Sequence, residues 1–97
     1  SSYEMPRYDL IPPEFVRRLA QRMAYGAAKH GENNYQQGVG DPAFHRDRVN
    51  HLIEHVLKYV AGDREKDHLA AVAANAAMLM WLDSHPVSGE QGQSINP

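Results

Sequence analysis

The chain has 97 residues, so we expect residues 1–97 to form one small domain that buries only about two thirds of its unfolded surface. The absence of cysteine excludes disulfides and thiolate metal sites, so any bound metal would use carboxylate, imidazole or amide ligands. Ten basic and twelve acidic residues give a net charge of -2, which excludes the strong positive field that a nucleic-acid polymer requires.

The sequence has no apolar run of the about 20 residues that cross a bilayer, and no basic start that leads into an apolar stretch. We therefore expect a cytoplasmic protein without a membrane partner. The sequence contains three candidate helices, and so small a set usually needs a partner chain to cover its apolar faces. We expect a homodimer or a higher homo-oligomer.

The first helix is predicted over residues 13–30. Proline in its first turn, followed by Glu14, is a typical helix start, and Gly31 ends the pattern. Its apolar residues recur at three- and four-residue steps, which is the helical period. They are Phe15, Val16, Leu19, Met23 and Ala27.

A polar loop is predicted over residues 31–40, where Tyr35 is the only large apolar side chain. Lys29, just before this loop, is a residue type that complements the dipole at a helix C-terminus. Alternatively, Lys29 contacts phosphate, while Asn34 hydrogen-bonds to a base and Tyr35 stacks on it. The sequence leaves both interpretations open.

The second helix is predicted to begin after an N-cap at Asp41 and to end at Ala61. Its apolar residues share one face: Val49, Leu52, Ile53, Val56, Leu57 and Val60. Asp63 can cap a third helix from about Arg64, whose body over residues 69–82 is apolar on nearly every side. Such a helix is expected to lie centrally, in the monomer or in an oligomer.

The predicted fold class is therefore all-α, a small bundle of three main helices completed by oligomerisation. A proline at position 86 ends the third helix, and the residues after it are rich in Gly, Ser and Gln. We expect a helical core over about residues 7–85 and a flexible tail over about residues 86–97.

The second helix carries candidate ligands in the pattern His51-x-x-Glu54-His55, whose spacings bring side chains together on a helix. On a helical wheel, Arg48 and His55 flank the apolar stripe on one side and Glu54 on the other. His51 points away from the stripe and is expected to be functionally silent. Bundle proteins place metal ligands on such flanks, but an ordinary solvated helix has the same pattern.

The third helix places His68 and Asn75 on one stripe, about 10 Å apart along its axis. A buried imidazole and amide must find hydrogen-bond partners, so either they line a polar pocket that faces the second helix, or backbone and buried water satisfy them. Asp67 alone would be an acid at a helix start. Together with Glu54 and the histidines it would form a mixed oxygen and nitrogen set suited to Mg²⁺ or Mn²⁺.

Arg46 and Arg48 add local cations near the start of the second helix, which contact either phosphate or surface water. The sequence has no Gly-rich phosphate loop, nucleophile elbow or His-Glu-x-x-His zinc signature.

Several segments, in this order, carry a family resemblance: Arg7-Tyr8-Asp9-Leu10-Ile11-Pro12-Pro13-Glu14, Tyr25-Gly26-Ala27-x-Lys29-His30-Gly31-x-x-Asn34-Tyr35, His51-x-x-Glu54-His55, Gly62-Asp63, Asp67-His68-Leu69-Ala70 and Asn75. Over about residues 7–82 the chain resembles the dATP/dGTP diphosphohydrolase N-terminal domain family, which is common in bacteriophages. The resemblance implies the activity of the MazG-like all-α nucleotide pyrophosphohydrolases, which use Mg²⁺ to convert a nucleoside triphosphate into the monophosphate and pyrophosphate. It also implies the host cytoplasm, if a phage encodes the chain.

Those enzymes carry Glu-x-x-Glu on one helix and Glu-x-x-Asp on the next, whereas this chain has His51-x-x-Glu54 and Asp67-His68. The ligand set and the number of metals are therefore open. Our hypothesis is that a divalent Mg²⁺ or Mn²⁺ is held by Glu54, Asp67 and His68, with His55 or His68 as metal ligand or general base. The predicted substrate-binding residues are Lys29, Asn34, Tyr35, Arg48 and Asn75.

Two alternatives remain open. One is another metal-dependent phosphohydrolase with a histidine-rich site resembling the HD class, although the adjacent pair Asp67-His68 has the reverse order. The other is a helical dimer that binds a nucleotide or a partner without turnover, and it predicts no dependence on divalent metal.

Overall fold

Residues 5–87 are described by a computed structural model, which contains α-helices and short 3-10 helices and, in that range, no strand. The α-helices are α1 (Pro13–His30), α2 (Pro42–Val60) and α3 (His68–Ser84). The 3-10 helices span Tyr8–Leu10 and Asn34–Gly38. The all-α prediction of three main helices is therefore confirmed. Most of the predicted tail lies outside the described residues.

The first two helices begin where their capping residues predict. α1 has the predicted bounds, with proline in its first turn and Gly31 at its end in a backbone conformation of φ 99° that favours glycine. α2 is capped by Asp41, whose Oδ1 accepts hydrogen bonds from the backbone N–H groups of Ala43 (3.0 Å) and Phe44 (3.2 Å). It ends at Val60, one residue earlier than predicted.

The predicted start of α3 is wrong. Asp67 is the N-cap, and its Oδ1 accepts a hydrogen bond from the backbone N–H of Ala70 at 3.1 Å. Asp63 instead accepts the N–H of Glu65 at 2.9 Å and forms a turn. Both aspartates have the residue type of a cap, but only Asp67 is fixed by a distant partner, Arg18.

α3 is the central element, as its composition predicts, because α1, α2 and the 3-10 helix over Asn34–Gly38 all pack against it. Its buried residues are mostly small: His68, Ala70, Ala71, Ala74, Asn75 and Leu82. α2 contacts α3 through its flank, which includes His55, whereas much of its apolar stripe stays exposed to solvent. The core of one chain is therefore thin.

Candidate functional site

A cleft of about 610 Å³ opens between the C-terminal half of α1, the loop after it, the first half of α2 and the middle of α3. This volume lies within the range of small-molecule sites. All five predicted substrate-binding residues line it: Lys29, Asn34, Tyr35, Arg48 and Asn75. The structure thus brings together side chains from α1, the 3-10 helix that follows it, α2 and α3.

Arg48 and Asn75 meet where α2 crosses α3. Nη1 of Arg48 donates a hydrogen bond to Oδ1 of Asn75 (3.2 Å), and Nδ2 of Asn75 donates to the backbone oxygen of Ala71 (2.9 Å). The guanidinium lies 5.3 Å from the centre of the Phe44 ring. Burial lowers the pKa of Arg48 from its ordinary value, although a guanidinium stays charged at neutral pH.

Nε of Arg48 is buried and has no hydrogen-bond partner among residues 5–87. A buried donor left without an acceptor is costly, and hydrogen bonds to charged groups are the strongest that can relieve it. Arg48 also lines the cleft, so its positive charge is suited to an anionic ligand there.

Three residues of α1 form a second cationic wall of the cleft. Arg22, Tyr25 and Lys29 are spaced at three- and four-residue steps and therefore share one face of the helix. The Arg22 guanidinium and the Lys29 ammonium lie 5.1 and 5.4 Å from the centre of the Tyr25 ring. Lys29 Nζ also lies 3.5 Å from the Tyr25 hydroxyl, and this contact lowers the pKa of Tyr25.

The loop after α1 folds back over the cleft. Gly31 and Asn33 both have positive φ, which turns the chain into the following 3-10 helix. Tyr35 is half-buried there, with its ring edge-to-face with Trp81 of α3 at 5.8 Å. The contact orients an aromatic side chain at the cleft.

The four predicted catalytic residues do not line the cleft: Glu54, His55, Asp67 and His68. Two of them pair with each other, because Nδ1 of His55 lies 2.8 Å from Nδ1 of His68. His68 is 2% exposed, and its Nε2 lies 3.1 Å from Oδ2 of Asp63.

The two predicted carboxylate ligands have cationic partners. Both oxygens of Asp67 accept hydrogen bonds from Arg18 at 2.7 Å, which lowers the pKa of Asp67 to about 2. Oε2 of Glu54 lies 3.9 Å from Nζ of Lys58, one turn along the exposed side of α2. Across residues 5–87, no three His, Cys, Asp or Glu side chains form a group that could hold a metal ion. The described part of one chain therefore assembles no metal site from the predicted ligands.

The family model for dATP/dGTP diphosphohydrolase, N-terminal, matches residues 1–91 of the chain. The chain belongs to this family. No curated protein and no solved structure matches it. None of the helices in the described range has the length and hydropathy of a segment that crosses a bilayer.

The sequence did not predict several polar and aromatic residues that line the cleft of this family member, among them Arg22, Tyr25, Phe44 and His51. The spacing of Arg22 and Tyr25 relative to Lys29 was a usable signal. His51, which the wheel places opposite the apolar stripe, lines the cleft, because the stripe of α2 does not face the core as the wheel assumed. The stripe instead lies largely exposed, and the helix is rotated so that His51 reaches the cleft. The expected functional silence of His51 stays a prediction.

Proposed function

We propose that this family member hydrolyses the purine deoxynucleoside triphosphates dATP or dGTP to the monophosphate and pyrophosphate, in a reaction that depends on a divalent metal. The family match supports the substrate class. One structural observation carries the proposal, namely the convergence of Arg22, Lys29 and Arg48 with aromatic side chains on a single cleft. Cations that flank aromatic rings suit a ligand with a polyanionic end and a planar end.

The triphosphate would lie between α1 and α2. Lys29 and Arg22 would contact it from α1, and Arg48 from α2. Asn75 accepts a hydrogen bond from Nη1 of Arg48 and would hold the guanidinium in place while it contacts the phosphates. The base would stack on Tyr35 and hydrogen-bond to Asn34, as the sequence predicts.

The divalent metal is proposed to enter with the nucleotide, since the predicted ligands do not fit a resident ion within one chain. Asp67 is engaged by Arg18, and Glu54 lies on the exposed side of α2 beside Lys58. The roles of Glu54, Asp67 and His68 as metal ligands stay predictions. Hydrolysis of the α–β phosphoanhydride requires a water nucleophile and a group that takes its proton. The roles of His55 and His68 as metal ligand or general base stay predictions, since neither side chain lines the cleft.

The test is a panel of deoxynucleoside and ribonucleoside triphosphates incubated with the protein and Mg²⁺, Mn²⁺ or a chelator. Chromatography separates the monophosphate, diphosphate, pyrophosphate and phosphate products. We expect dAMP or dGMP with pyrophosphate, only when a metal is present. Turnover that persists in chelator, or release of single phosphates, contradicts the proposal.

Arg48→Ala tests the cleft itself. Losing a charge-assisted contact of about 1.5–3 kcal/mol should weaken nucleotide binding roughly ten- to a hundredfold. Arg46→Ala is the matched control, because Arg46 is exposed, lies beside Asp47 and does not line the cleft. Titration calorimetry with an analogue whose α–β bridge resists hydrolysis measures both variants. Equal affinities for the two variants would place the phosphates elsewhere.

A second candidate function is nucleotide binding without turnover. It is favoured by one observation, that Glu54 and Asp67 both lie away from the lining of the cleft. This alternative predicts the same loss of affinity in Arg48→Ala, but no product with any metal.

A further inference from the structure

Gly26 is a glycine in the interior of α1 that also lines the cleft. Its backbone has ordinary helical geometry, without the positive φ that favours glycine at Gly31. Across residues 5–87, a β-carbon at Gly26 would have no atom within 4 Å other than those of its chain neighbours and of the α1 backbone. Neither backbone geometry nor packing therefore requires a glycine at this position.

A glycine in the middle of a helix makes the helix less stable than alanine would, because its unfolded backbone has more freedom to lose. The other common use of glycine is to let a ligand come close to the backbone. Gly38 is different, since a β-carbon there would collide with the ring of Phe44, so packing accounts for that glycine. The open space at Gly26 thus points to a ligand in the cleft.

Gly26 lies between the two cations of the α1 wall. Arg22, Gly26 and Lys29 follow each other at steps of four and three residues, so they share one face of the helix over about 10 Å of its axis. The Arg22 guanidinium and the Lys29 ammonium both lie on the ring of Tyr25, at 5.1 and 5.4 Å from its centre, and all three side chains line the cleft. A polyanion that contacts both cations must pass over Gly26.

We propose that Gly26 determines the length of the phosphate chain that the cleft accepts, by leaving room for the chain to lie against α1 between Arg22 and Lys29. That this polyanion is the triphosphate of a nucleotide rests on the proposed function. A methyl group at Gly26 would hold the phosphates further from the helix, and their attraction to both cations falls with distance. A ligand with a single phosphate contacts one cation and does not cross Gly26. Gly26 is therefore a specificity-determining residue.

The test measures how Gly26→Ala changes the binding of three probes to the intact protein at one fixed Mg²⁺ concentration. The probes are inorganic tripolyphosphate, a dATP analogue whose α–β bridge resists hydrolysis, and dAMP. By titration calorimetry, we expect the affinity for tripolyphosphate and for the analogue to fall about tenfold, the equivalent of one charge-assisted contact. The affinity for dAMP should change by less than about twofold, because a single phosphate does not bridge the two cations.

Ala28→Ser is the matched control, since it adds one heavy atom to an exposed position of α1 that does not line the cleft. It should leave all three affinities unchanged. Thermal melts show whether Gly26→Ala folds, and its midpoint should rise by about 2–8 °C because alanine favours the helix. A weaker affinity in a more stable protein cannot come from unfolding. A lower midpoint would mean that the methyl group is obstructed within the chain, and it overturns the proposal.

Equal affinities of wild type and Gly26→Ala for tripolyphosphate and for the analogue also overturn the proposal, as does an equal loss for dAMP. A lower mass of Gly26→Ala in light scattering would place this glycine at a contact between copies of the chain, and not at a ligand. If the wild-type protein binds none of the probes, the proposed function and the role of Gly26 fail together. If it binds the analogue and the variant binds equally well, only the role of Gly26 fails.

Discussion

Asn75 is a buried polar residue in a helix that is otherwise apolar, and the structure gives both ends of its amide a partner. Its Oδ1 accepts from Arg48, and its Nδ2 donates to the backbone oxygen of Ala71. A satisfied buried amide orients its neighbours, and removing it leaves a buried guanidinium with one acceptor fewer.

Asn75→Leu should therefore lower both stability and nucleotide affinity. We expect a loss of about 1–3 kcal/mol in the free energy of unfolding, because Arg48 loses its only described side-chain acceptor while it stays partly buried. Urea unfolding followed by circular dichroism measures the stability, and calorimetry the affinity. A variant that is more stable and fully active would show that the buried amide of Asn75 destabilises an otherwise apolar core.

The ionisation of Asp67 makes the free energy of unfolding depend on pH. Its pKa is about 2 in the folded protein because of Arg18, compared with 3.8 for an unperturbed aspartate. A lowered folded pKa stabilises the protein above about pH 4, and this contribution is lost as the pH falls from about 4 to about 2. Asp67→Asn keeps a residue that caps helices well but loses the ion pair.

The stability difference between wild type and Asp67→Asn should thus be largest at neutral pH and shrink as the pH falls through this window. Chemical unfolding at a series of pH values checks the trend, with Arg18→Gln as the partner variant that should behave alike. A difference that stays constant down to about pH 2 would assign the effect to capping and not to the ion pair.

At the level of elements, the sequence predicted the features that are set by residues close together in the chain. The start of α2 follows from the cap at Asp41, and the cluster of Lys29, Asn34 and Tyr35 follows from their order at the end of α1. The position of His51 at the cleft could not be predicted, because a helical wheel gives the faces of α2 but not which face packs against α3. The partner of Asp63 depends on the turn between helices, which local propensity does not determine.

The 3-10 helix over Asn34–Gly38 approaches α2 so closely that a methyl group on Gly38 would collide with the ring of Phe44. Gly38→Ala should displace this ring, on which Arg48 lies, at a cost of about 1–3 kcal/mol in stability, and it should weaken nucleotide binding.

Gly26→Ala is the opposite case for stability. Its added methyl group meets no other atom, and alanine in a helix should stabilise the protein by about 0.5–1 kcal/mol. Thermal melts of both variants check the opposite signs.

At the level of the whole molecule, the small side chains of α3 bring its neighbours close but leave large apolar residues uncovered. On α2, Val60 is 75% exposed, Leu57 58% and Ile53 48%. An apolar stripe that neither faces the core nor carries charge is typical of a surface that another chain covers.

We expect the protein to form a homodimer or a higher oligomer through this stripe of α2. Light scattering should give a mass of at least twice the 10.9 kDa of one chain. Leu57→Glu should shift the equilibrium towards monomer, whereas Gln21→Glu, at an exposed polar position on α1, should not. A wild-type protein that stays monomeric at high concentration contradicts the expectation.

α1 and α2 both pack on α3 and make few contacts with each other, so the two walls of the cleft are joined mainly through the helix behind them. A triphosphate bound by Lys29 on one wall and by Arg48 on the other would hold the two walls together. Binding and folding are then linked, since a ligand present at about a hundred times its dissociation constant adds about 2.7 kcal/mol to the free energy of unfolding. In a cell rich in nucleotides, the bound ligand would then supply part of the stability that the small core of one chain does not provide.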